Sequence, residues 1–183
     1  MTAIVALVHN GKVHMAGDSF CGSETQKNLC KEPKVYKVGA LGVGLCGMVR
    51  QELILEKTIR KAIETDGIVV THKWIKFELP DLIADAFEGK SATVEDRSQI
   101  TMGESAYMIA FDGRIYYLDD DFGIWESQRP IAAIGIGKQY ALGALSVNMK
   151  LPYTTPEEML TGALEIAHEW SIWVEPPYRI ITV

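Results

Sequence analysis

Chemistry can first be read from a threonine at position 2 and an aspartate at position 18. A threonine hydroxyl is a poor nucleophile at neutral pH and needs a base. An N-terminal threonine brings its own, because a free α-amine with a reference pKa of about 7.7–8.0 suits general-base work. Removing Met1 would create that amine on Thr2, and a small second residue is what methionine removal generally requires. The expected chemistry is attack by the Thr2 hydroxyl on a carbonyl carbon.

The elements that must position these side chains begin with two strand-like runs, residues 3–9 and 12–18, around Asn10-Gly11. That dipeptide suits a type I′ hairpin because both turn positions need positive φ. In a two-residue hairpin here, paired residues sum to 21, so Thr2 faces Ser19 and Asp18 faces Ala3. Strict alternation would then point Asp18 to the face opposite Thr2, and bringing them together requires a bulge or a longer turn.

A second hairpin is expected over 105–111 and 114–118 around Asp112-Gly113, with further strands at 35–38, 41–46, 131–136 and 179–183. Apolar spacing predicts helices over 49–65, 74–87 (interrupted by Pro80), 140–149 and 157–170, the last capped by Thr155 with Pro156 in its first turn. A polar loop is expected over 88–104. This order suggests an α+β chain whose helices pack outside two antiparallel sheets, and no linker or repeat divides residues 1–183 into separate domains.

A formal charge of −6 and a pI near 5.2 argue against broad binding to nucleic acid or to an anionic membrane. Cys21, Cys30 and Cys46 fit neither a disulfide framework nor a zinc knuckle, which suggests a reducing cytoplasm. No basic, apolar leader opens the chain and no apolar run has the length of a membrane span, so export and insertion are not expected. The four histidines share no metal-ligand spacing, so neither a metal nor another cofactor is expected.

Taken together, Thr2-Ala3-Ile4-Val5, Asn10-Gly11 and Ala16-Gly17-Asp18 resemble the N-terminal hairpin of the proteasome β-subunit/HslV peptidase family of N-terminal-nucleophile hydrolases. By the same resemblance, Lys34 in Pro33-Lys34-Val35 falls at the family's lysine position, and Gly44 in Val43-Gly44-Leu45-Cys46-Gly47 at the oxyanion-binding glycine. Residues 133–141 and 163–167 are similar to the family's later strand-to-helix segment and last helix. The resemblance implies a four-layer α/β/β/α sandwich and a cytoplasmic threonine-type endopeptidase acting on peptide or protein substrates. It also implies a homo-oligomeric ring and an ATP-dependent unfoldase as partner. The implied roles are Thr2 as nucleophile, Lys34 held by Asp18 as the cation beside the Thr2 hydroxyl, and the Gly44 N–H as oxyanion donor.

The chain departs from the family at Ile136, which stands where a serine supports the amine of the nucleophile and which can neither donate nor accept from its side chain. Downstream, His168, Glu169, Ser171 and Val174 correspond only loosely to the residues that close the family's site. These departures keep a second reading open: a catalytically silent proteasome-like subunit with a structural role in a larger assembly, such as a virus particle. Gly42-Val43-Gly44-Leu45-Cys46-Gly47, with Glu64 some way on, also fits a dinucleotide-binding pattern. That fold needs parallel βαβ units, whereas this chain opens with antiparallel hairpins.

Overall fold

The computed structural model describes residues 2–23, 25–88, 90, 92–96, 99–103, 105–152 and 154–183. Strands β1 (Ile4–His9) and β2 (Lys12–Gly17) form the expected hairpin, with Ile4 opposite Gly17 and His9 opposite Lys12. Asn10 and Gly11 have φ of 49° and 74°, the two positive values a type I′ turn requires. A short ribbon follows, β3 (Phe20–Gly22) against β4 (Lys27–Leu29). It has no counterpart in the sequence expectation, because all three residues of β4 are exposed and show no apolar alternation.

Strands β5 (Val35–Val38) and β6 (Leu41–Cys46) lead into helix α1 (Val49–Arg60), which ends in a wider π-helical turn at Lys61–Thr65. The next expected helix is split into α2 (His72–Phe77) and α3 (Leu79–Phe87). Pro80 sits in the first turn of α3, where its missing N–H leaves no intrahelical bond unmade. Within the expected polar loop, two short strands pair, β7 (Val94–Asp96) and β8 (Gln99–Thr101), while Gly89, Ser91, Arg97, Ser98 and Glu104 lie outside the described residues. Then come β9 (Ala106–Phe111), β10 (Arg114–Leu118), β11 (Ile124–Glu126), β12 (Ile131–Ile134), α4 (Lys138–Asn148), α5 (Pro156–Trp170) and β13 (Arg179–Thr182). Helix α5 starts with a full capping box: the Glu158 N–H donates to the Thr155 hydroxyl at 3.2 Å and the Thr155 N–H to the Glu158 carboxylate at 2.8 Å.

The strands assemble mainly into two antiparallel sheets, ordered β12-β1-β2-β13 and β11-β10-β9-β6-β5. Period-two alternation sorts their side chains. From β1, Ile4 and Ala6 meet Val35, Met108 and Ala110 of the other sheet, whereas Val5 and Leu7, with Ala3 just before the strand, pack with Leu145, Leu160 and Leu164 of α4 and α5. From the second sheet, Val43, Leu45, Tyr107 and Ile109 pack with Leu55, Ile59, Ile83 and Phe87 of α1 and α3. Strand β1 is therefore buried on both faces, which explains its unbroken apolar sequence and holds the chain rigid at the end that carries Thr2.

Candidate active site

Thr2 lies immediately before β1 and Asp18 immediately after β2, so the hairpin brings both to one end of the first sheet. The register continues one step past the strands, with the Asp18 N–H donating to the Ala3 carbonyl at 3.2 Å. Beyond that bond the chain leaves strand geometry, and the Asp18 carboxylate folds back rather than pointing to the far face. It accepts from the Ala3 N–H at 3.0 Å, the Phe20 N–H at 2.9 Å and the Glu175 N–H at 3.3 Å. No added residue in the hairpin is needed, because the ladder stops at Gly17. Ser19, expected opposite Thr2, turns away: its hydroxyl donates to the Pro177 carbonyl and its N–H to the Glu175 carbonyl at 2.8 Å.

Lys34 enters from just ahead of β5. Its ammonium donates to Thr2 Oγ1 at 2.6 Å and to Asp18 Oδ1 at 2.9 Å. All three residues are withdrawn from solvent, with exposures of 2% for Thr2, 1% for Asp18 and 9% for Lys34. A buried ion pair is maintained only where its remaining hydrogen-bonding capacity is met, and the three backbone N–H groups on Asp18 do this. A cation fixed against a hydroxyl oxygen favours the alkoxide, as a nucleophile requires.

Gly44 is not brought to this cluster. It lies inside β6, opposite Val35 on one side and Met108 on the other. The Leu45 N–H bonds the Lys34 carbonyl at 3.1 Å, so alternation along the strand directs the Gly44 N–H toward β9 and into the sheet ladder. The direction in which its side chain would lie is occupied by Ile4 and Met15, each 3.1 Å from a Cβ built there. Of the glycines in this segment, Gly47 does share a cleft with Thr2 and Lys34; it stands three residues on, where the strand has ended and φ is 151°. Its position is restricted to glycine, since a Cβ would fall 2.1 Å from the Ser105 hydroxyl. The glycine-rich pattern thus belongs to an antiparallel strand and its exit, not to a phosphate-binding turn, and Glu64 pairs with Arg60 at 3.0 Å.

The segment Gly135-Ile136-Gly137 closes on the backbone of Thr2. The Gly137 N–H donates to the Thr2 carbonyl at 3.2 Å, and at Gly135, with φ of 93°, a Cβ would fall 2.2 Å from that same oxygen. Ile136 between them is 55% exposed. Of the loosely matched downstream residues, His168 Nδ1 lies 2.7 Å from the Val174 carbonyl and Ser171 accepts from the Trp173 N–H, so both act within the loop after α5. Glu169 is exposed and Val174 buried. The sequence reading missed Glu175, which reaches Asp18 through its backbone; no side-chain pattern could have shown this.

Beside Thr2 opens a cleft of about 640 Å³, lined among others by Lys34, Tyr36, Leu45, Gly47 and Glu52. Burial and the neighbouring Glu56 carboxylate push Glu52 up to about 7, against the pull of Lys34. Burial and contact with Cys21 push the Cys30 thiol, also in the cleft wall, up to about 11. Among the described residues no three His, Cys, Asp or Glu side chains gather as a metal site, and no helix is long and apolar enough to cross a membrane.

No family profile and no curated protein matches the sequence. Solved structures do match. The Thiobacillus denitrificans protein BPH superposes with a TM-score of 0.82 at 18% identity, covering 100% of this chain and 97% of that one. HslV from Trypanosoma brucei gives 0.74 at 13% identity, with 99% and 98% covered. Anbu, an ancestral β-subunit, from Yersinia bercovieri gives 0.71 at 12%, with 99% and 81% covered. The chain has the HslV and proteasome-like fold. In that fold the four-stranded sheet carries Thr2 and Asp18, and the five-stranded sheet delivers Lys34 and Gly47 to the same cleft.

Proposed function

We propose that this chain is a proteasome-like peptidase subunit of the threonine type: one four-layer α/β/β/α domain over residues 1–183 that hydrolyses peptide bonds once Met1 is removed. The observation that carries this reading is the contact of the Lys34 ammonium with Thr2 Oγ1 at 2.6 Å, held by Asp18 at 2.9 Å. Thr2 Oγ attacks the scissile carbonyl carbon and its proton passes to the Thr2 amine. That proton then leaves with the amine product, forming an ester to Thr2. Water, activated by the same amine, cleaves the ester and restores the hydroxyl. Lys34 stabilises the alkoxide, and Gly47, rather than Gly44, supplies a backbone N–H to the oxyanion. The sandwich is supported by the sorting of apolar side chains into one core between the sheets and one between each sheet and its helices. Assembly into a homo-oligomeric ring in the cytoplasm, fed by an ATP-dependent unfoldase, follows from the family resemblance.

The test combines the intact mass of natively expressed protein with labelling by an epoxyketone. BPH, which has the same fold, is known in complex with epoxomicin. Loss of Met1 and an adduct that disappears in Thr2→Ala are the expected results. One observation favours the silent structural subunit instead: Ile136 offers the Thr2 amine no hydrogen bond from its side chain. Retained Met1, no adduct and copurification in a large non-proteolytic assembly would establish that reading in its place.

A further inference from the structure

Glu52 and Glu56 stand one turn apart on α1, a spacing that places both on one helix face, and both line the cleft beside Thr2. The cationic groups in that cleft are already engaged. Lys34 is bound to Asp18 at 2.9 Å, and Arg60 to Glu56 at 2.8 Å and Glu64 at 3.0 Å. Among the described residues the Glu52 carboxylate has neither an ion pair nor a hydrogen bond, and Glu32 at the rim adds a further negative charge. The Tyr36 hydroxyl, on the same cleft, is buried with no hydrogen-bond partner. The same lining includes the apolar side chains of Phe20, Leu45, Val49 and Leu53.

A cleft that combines apolar side chains with an unpaired carboxylate and an unpaired hydroxyl suits a side chain with a methylene stem and a cationic head. An apolar occupant would leave Glu52 and Tyr36 desolvated without partners, and an acidic one would add like charge. The residue whose carbonyl carbon Thr2 attacks is held nearest to Thr2 Oγ, so its side chain is the one that enters. On these grounds, and resting on the peptidase reading above, we infer that the cleft selects lysine or arginine on the acyl side of the cleaved bond, with Glu52 as counter-ion. Because burial and Glu56 push Glu52 up to about 7, the selection strengthens as pH rises through neutrality. The groups acting on that titration are Glu56 and Glu32, which raise it, and Lys34, which lowers it.

The experiment measures two quantities on the same protein. One is hydrolysis of fluorogenic peptides that differ only in arginine, leucine or glutamate before the cleaved bond. The other is calorimetric binding of the matching uncleavable peptide amides. The arginine-to-leucine ratio is expected to exceed about tenfold and to fall by a similar factor in Glu52→Gln. In the wild-type protein alone that ratio is expected to increase between pH 6 and pH 8, a readout that needs no variant. Hydrolysis with no basic preference, or with one that Glu52→Gln and pH leave untouched, overturns the inference while the peptidase reading stands. Selective, Glu52-dependent binding of the arginine amide with no hydrolysis of any peptide sustains the inference and removes the peptidase reading. Neither hydrolysis nor selective binding removes both.

Discussion

The Lys34 ammonium donates to the Thr2 hydroxyl at 2.6 Å from a site that is 9% exposed, and among the described residues the sole carboxylate bound to it is Asp18. Replacing Lys34 by Met leaves that carboxylate buried without its ionic partner, which costs about 3–5 kcal/mol. Lys34→Met is therefore expected to lose both stability in urea and the epoxyketone adduct. A variant as stable as the parent would show that the pair is not ionic.

Gly135 meets the carbonyl of Thr2, with a Cβ built there only 2.2 Å from the oxygen and a φ of 93°. Gly135→Ala must displace one backbone or the other. We expect a loss of roughly 3 kcal/mol, from the disallowed conformation together with steric overlap. Thermal unfolding checks this, and a change under about 0.5 kcal/mol would contradict the close approach.

Ile136 is 55% exposed, so Ile136→Ser is expected to change stability by no more than about 0.5 kcal/mol. Its hydroxyl can accept from the Thr2 amine or donate to it. Where Met1 has been removed, the rate of adduct formation should increase roughly tenfold, in line with one added positioning hydrogen bond. The measurement is a labelling time course followed by intact mass.

Glu52 has its pKa raised from an ordinary 4.5 to about 7, chiefly by burial. The folded protein therefore binds a proton that the unfolded chain has released over this interval, and stability from this group falls as pH rises from about 4.5 to 7. Above 7 both states are ionised and the loss is constant. Glu52→Gln removes this dependence, so its stability relative to wild type should increase across that interval. The expected gain is about 1–2 kcal/mol, less than the full linkage value because the group is partly solvated. Urea unfolding at pH 5 and pH 8 decides it, and a wild-type protein that gains on the variant at high pH would refute the assignment.

Much of this architecture could be read from local signals. Asn10-Gly11 and Asp112-Gly113 both adopt paired positive φ and close the two hairpins expected of them, and Thr155-Pro156 opens α5. The hairpin register, observed as Ile4 opposite Gly17, brought Thr2 and Asp18 to one end of the sheet, but strict alternation directed Asp18 to the other face, and only its departure from strand geometry after Gly17 turns the carboxylate back. Lys34 could not be placed by any local rule, since it arrives from the other sheet, and only the family resemblance suggested it. The glycine misassignment has a physical origin: a run of three glycines gives no sign of where β6 stops, and only the partners Val35 and Met108 show that Gly44 is still within it. The β3–β4 ribbon was unreadable because its strands are three residues long, β4 is exposed throughout, and β3 buries Phe20 alone.

The carboxylate of Asp18 binds the amides of residues 3, 20 and 175. The last of these stands 157 positions beyond Asp18, so it leaves the ribosome long after the other two. A nascent chain therefore carries Thr2 and Asp18 well before it can surround that carboxylate, which must wait until Glu175 has been added and docked. Formation of the surroundings of Thr2 and Asp18 is thus coupled to synthesis through residue 175, so products that stop short of it hold the threonine without its finished setting.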